Sequence, residues 1–124
     1  MGTTMSAIVE AYALYHVPEE PWPETIHRRK GQPKGYWYDI ATLKFQKDYG
    51  IRQHVCDAAP DGWPEDIGYL AQKLEDVWSK KCIEDTQLLK MASLKSPPFA
   101  ALKAMVKAFQ KDGWKTRVLF YCED

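Results

Sequence analysis

The chain carries no surplus of charge of either sign: seventeen Lys and Arg balance seventeen Asp and Glu over 124 residues. No long-range field therefore steers it toward nucleic acid or an anionic membrane, and any basic site must be a local patch. Long apolar runs are missing as well. None approaches the ~18 residues of a membrane span. Glu10 interrupts the opening stretch MGTTMSAIVEAYALYH, which is expected to be no secretion leader. The first six residues formally fit an acylation signal, but Met5 is an equally good start, and no membrane partner is expected. Cysteine is scarce: Cys56, Cys82 and Cys122 form an odd set without a CxxC pair. That pattern argues against a secreted disulfide scaffold and points to reduced thiols in a cytoplasm. Absent too are the phosphate-loop, dinucleotide, HExxH and GxSxG motifs. No catalytic residue, metal site or cofactor is assigned.

What is present is ordinary for a globular fold, with 45% hydrophobic and 27% charged residues. A chain of 124 residues makes one domain able to bury its own core. Five Trp and seven Tyr are many for this length, and large aromatics serve a core or an interface.

Residues 7–17 are aromatic and β-branched and read as a strand, with a short helix as the competing reading. Residues 18–35 read as one extended loop rich in Pro, Gly and basic side chains, and a PxxP spacing inside it holds two glutamates that spoil it as a ligand motif. Asp39 is placed to cap a helix through IATLKFQKDY with Gly50 as its stop, followed by a short strand over 51–56. Ile67, Leu70, Ala71, Leu74, Val77 and Trp78 recur at helical spacing and predict a helix over 64–80, with another over 84–94. Ser96 caps a last helix that Pro97 begins and Gly113 ends, and KTRVLFYC closes the chain as a strand. FQKD occurs twice, at 45–48 and 109–112, each time before a glycine and a segment ending near a cysteine, which supports a helix at the first copy. The expected architecture is α+β: a sheet of about three strands with three to four helices packed on it.

Five features bear on chemistry or binding. HRRKGQPKGYWYD sets Arg28, Arg29, Lys30 and Lys34 ahead of three aromatics. Those residue types suit phosphates and stacked bases, but the residue order favours exposed charges on a loop and a buried Trp37. Lys103, Lys107 and Lys111 recur every fourth residue, a like-charged stripe suited to an acidic partner. His54 and Cys56, two apart on an expected strand, would share a face and form half of a zinc site if Cys82, Cys122 or His16 converged on them; a core cysteine beside a boundary histidine is the simpler reading. Adjacent carboxylates occur as Glu19–Glu20, Glu65–Asp66, Glu75–Asp76 and Glu84–Asp85; on a helix such neighbours diverge and cannot share a proton, or clamp an ion without a third ligand. Trp22 and Trp63 lie outside the periodic stripes, in proline-rich turns, and are the expected exposed anchors.

These features point to a small cytoplasmic, non-catalytic protein-binding module, accessory or inhibitory, of the kind that phages and mobile elements carry. The rival is a nucleic-acid-binding protein using residues 28–37 and the lysine stripe; the next is a Cys/His enzyme or metal site at His54 and Cys56.

Overall fold

The computed structural model describes residues 4–13, 36–46 and 49–123. The loop expected at 18–35, with Trp22, Arg28, Arg29, Lys30 and Lys34, lies outside them, as does the end of the strand expected at 7–17. Strands β1 (Thr4–Ala13), β2 (Tyr36–Gln46), β3 (Trp78–Glu84) and β4 (Lys115–Glu123) form one antiparallel sheet in the order β2-β1-β4-β3. Helices α1 (Tyr49–Ala58), α2 (Tyr69–Lys73), α3 (Asp85–Lys90) and α4 (Pro97–Lys111) complete an α+β domain. Four strands, rather than about three, make up the sheet among the described residues.

The two central strands are buried on both faces, so their sequences run apolar instead of alternating. Met5, Ala7 and Val9 of β1 join Val118 and Phe120 of β4 beneath α1, α3 and α4, which contribute Ile51, Val55, Leu88, Phe99, Leu102 and Val106. On the opposite face Ile8, Leu119 and Tyr121 are covered by residues 63–77 through Ile67, Ala71, Leu74 and Val77. No helix among the described residues is long and apolar enough to cross a membrane.

The last third of the chain follows its sequence closely. The Ser96 hydroxyl accepts from Phe99 N–H at 3.4 Å and Pro97 opens α4. At the far end Gly113 has φ +85°, Gly113 N–H donates to Gln110 O and Trp114 N–H donates to Phe109 O, the paired bonds of a glycine-terminated helix.

Three expected elements are corrected. Of the helix expected over 39–49, residues 39–46 are instead part of β2: YWYDIATLKF is aromatic and β-branched, and Ala41, Leu43 and Phe45 turn to the core at the period of a strand. The expected strand at 51–56 lies in α1, where Ile51 and Val55 are buried one turn apart. Gly50 sits inside that helix, so the echo between the two FQKD segments does not extend to structure. The helix expected over 64–80 shrinks to the five residues of α2. Its apolar spacing reflects real burial, achieved by a meandering segment, although Leu70 is exposed. Gly68 and Leu70 give their N–H groups to carboxylates of the sheet, and Trp78–Glu84 leaves to become edge strand β3. The helix expected over 84–94 is α3, ending at Lys90.

Candidate functional site

The densest polar constellation is internal. Glu10 of β1 and Arg117 of β4 are cross-strand partners in the middle of the sheet, 0% and 5% exposed. Buried charges persist only when paired and hydrogen-bonded, and both side chains are. Arg117 Nε donates to Glu10 Oε1 at 2.8 Å, Nη1 to Asp66 Oδ1 at 3.0 Å and Nη2 to Asp66 O at 3.0 Å. Glu10 Oε2 takes the Gly68 N–H at 2.6 Å, and Asp66 Oδ2 takes the Trp37 indole N–H at 3.2 Å. The Trp37 ring lies 3.9 Å from the Arg117 guanidinium carbon and stands beside Tyr12, with centroids 5.1 Å apart. Asp39 Oδ2 accepts from Leu70 N–H at 3.1 Å, while its Oδ1 is buried without a hydrogen bond. Burial raises the Glu10 carboxyl above its ordinary range; Arg117 and the Gly68 N–H oppose the shift and Asp39 adds to it.

Chemically, this arrangement fastens a segment with little regular structure onto a sheet. Five hydrogen bonds, from Arg117, Trp37, Gly68 and Leu70, end on residues 66–70 or begin there. Gly68 is where the carboxylates of Glu10 and Asp39 converge: a Cβ there would stand 2.6 Å from Glu10 Oε2 and 2.9 Å from Asp39 Oδ1. Glu10 is wholly shut from solvent.

Sequence reading missed this cluster, whose members lie up to 107 positions apart. A signal existed. Glu10 is the lone charge of β1 and Arg117 the lone charge of residues 116–122, and charges set in apolar strand segments need a partner. Trp37 is buried at 7% exposure, as the order of residues predicted, but it is held on β2 and not at a helix entry.

The sequence-derived candidates disperse. His54 and Cys56 lie on α1, where residues two apart diverge by about 200°, so the shared face expected of a strand is lost. His54 Nε2 is buried without a hydrogen bond and its ring meets Phe99 edge-on. Cys82 and Cys122 fall on opposite faces of the sheet, and the described residues hold no cluster of three metal-ligating side chains. All three thiols are free. Burial pushes the Cys82 thiol up to about 11 and raises Cys122, which leaves both protonated at neutral pH and poor nucleophiles.

Trp63 is not an exposed anchor. Its indole N–H is directed at the carbonyls of Lys81 and Phe120, each 3.1 Å away, and its ring stands edge-on to Tyr121. The exposed tryptophans among the described residues are Trp78 and Trp114, each 37% exposed. Trp78 sits beside a register shift in β3 and next to Ser79 at φ 52°, and Trp114 packs edge-on against Tyr38.

The lysine stripe stays on the surface along one flank of α4. Lys103 is half-buried and its ammonium donates to Met91 O at the end of α3, whereas Lys107 and Lys111 are exposed. Lys103 and Lys107, with Leu89, Ala104 and Gln110, line a groove of about 300 Å³ between α3 and α4. No known family, no curated protein and no solved structure matches the chain.

Proposed function

We propose that the chain is a small non-catalytic protein-binding module, an accessory or inhibitory protein that acts by occupying another protein. The observation that carries this reading is the closure of the Glu10–Arg117–Asp66 cluster: Glu10 and Arg117 are buried and paired with each other, and Asp66, which is partly exposed, is tied to the same guanidinium. The thiols and His54 are likewise withdrawn or diverging. Remaining on the outside are broad contact features: the lysine flank of α4 and the exposed Trp78 and Trp114, residue types that anchor interfaces.

Nucleic-acid binding is the second reading, favoured by Lys107 and Lys111 standing on the same helix flank, with Lys115 and Trp114 following in sequence. The balanced total charge weighs against it. Isolation of the tagged chain from its native cells, with and without nuclease, separates the two. The binding-module reading expects a stoichiometric protein that survives nuclease digestion and moderate salt. Nuclease-sensitive, steeply salt-dependent recovery, or turnover of a substrate by the purified chain, overturns it.

A further inference from the structure

The α3–α4 groove has a chemistry of its own. Its lining is aliphatic at Leu89 and Ala104 and polar at Lys103, Lys107 and Gln110. Helix α4 contains three lysines and no Asp or Glu from Pro97 to Lys111. The one carboxylate of α3, Asp85, is buried and accepts the N–H groups of Thr86 and Thr116. Neither Lys107 nor Lys111 pairs with a carboxylate among the described residues. Like charges one turn apart repel, so the helix forgoes an available stabilisation to keep this flank positive.

We propose that this groove takes an acidic peptide segment of a partner protein, which sets an aliphatic side chain against Leu89 and Ala104 and its carboxylates on Lys107 and Lys111. The proposal rests on the protein-binding reading and names the chemistry of the partner. Charge complementarity selects an acidic occupant. The aliphatic wall selects a peptide over a nucleic acid: no aromatic lines the groove for a base to stack on, and Lys103 is already committed to Met91 O. A lipid surface is a poor match, since the exposed positions of α4 are Pro, Ala, Lys and Gln, and its large apolar side chains are buried or half-buried.

The test is a fluorescence-anisotropy titration of the full chain with three labelled probes: a synthetic peptide of Glu and Leu, its counterpart with Gln for Glu, and a single-stranded DNA oligonucleotide. The Glu/Leu peptide binds best. Lys107→Glu/Lys111→Glu weakens it by about tenfold or more while the melting temperature holds, because both side chains are exposed. Ala104→Arg separates groove from charge: it fills the groove yet adds a positive charge, so docking predicts weaker binding and simple attraction predicts tighter. No binding of the peptide, equal binding by the double variant, tighter binding by Ala104→Arg, or preference for DNA each overturns the proposal. A chain that ignores the peptide but still retains a cellular protein after nuclease treatment refutes the groove and leaves the binding-module reading standing; failure of both experiments removes both.

Discussion

Arg117 faces Glu10 directly across the β1–β4 ladder, Nε to Oε1 at 2.8 Å, in the centre of a sheet whose other central residues are almost all apolar. From that pair the guanidinium reaches on to the side chain and carbonyl of Asp66, so that one cation joins two strands to the segment that covers them. Breaking such a pair leaves an uncompensated buried charge. Arg117→Ala is expected to destabilise by ~3–5 kcal/mol in urea unfolding, and Glu10→Ala by a similar amount. The double variant should lose less than the sum of the two, because each single change strands the partner of the other. Additive losses would mean the two side chains do not depend on one another.

Three glycines should separate by context. Gly68→Ala forces a methyl against the carboxylates of Glu10 and Asp39 and should destabilise by ~1–3 kcal/mol. Gly113→Ala meets open space but a φ of +85°, and should lose about 1 kcal/mol through backbone strain. Gly50→Ala lies within α1 and should be neutral or slightly stabilising. Thermal melts of the three proteins test the order, and a loss at Gly50 as large as at Gly113 would speak for a helix stop at both.

Glu10 should leave a signature in the pH dependence of stability. Its carboxyl is raised above the ordinary value of 4.5, chiefly by burial, with Arg117 of β4 and the Gly68 N–H opposing and Asp39 of β2 reinforcing. Asp66 and, from β3, Cys82 also face the cluster. A carboxyl with a raised folded pKa binds its proton more tightly in the folded protein. Its contribution to stability is therefore fullest below the unfolded value and declines as pH rises through the folded one. Relative to Glu10→Gln, the wild-type chain should have its largest advantage in acid and lose part of it toward neutrality. A widening advantage on going from acid to neutral pH would reverse the sign and refute the burial account.

Trp37→Ala should cost ~3–5 kcal/mol, as loss of a buried aromatic does. Trp37→Phe keeps a ring under the guanidinium but gives up the indole N–H to Asp66, and should cost about 1 kcal/mol. A stable Trp37→Ala protein would mean the ring supports something other than the fold.

How legible the fold was depended on whether the signals were local. Helix α4 and strand β4 are written in neighbouring residues: Ser96 and Pro97 at one end, Gly113 at the other, and an unbroken apolar run after it. Strand β2 was read as a helix because Asp39 looked like a cap, when its carboxylate serves Leu70 from across the fold. Residues 64–80 have a true apolar period, yet Gly68 is drawn to Glu10 and Trp78 to the edge of the sheet, and neither pull is visible locally. The polar cluster was hidden for the same reason, its four elements being joined only by tertiary contact. The lysine stripe was legible as a pattern, whereas the groove beside it depends on Leu89 of a separate helix.

The most direct measurement of the central claim is a photo-cross-linking scan in the native cell. A photoreactive residue is placed at Ala108 or Gln110 on the exposed flank of α4, and at Thr42 or Lys44, exposed on β2, as the comparison. A peptide-docking groove on α4 gives a discrete protein adduct from positions 108 and 110 that is absent from 42 and 44 and is lost in Lys107→Glu/Lys111→Glu. Adducts to nucleic acid at 108 and 110, or the same protein adduct from all four positions, would contradict it.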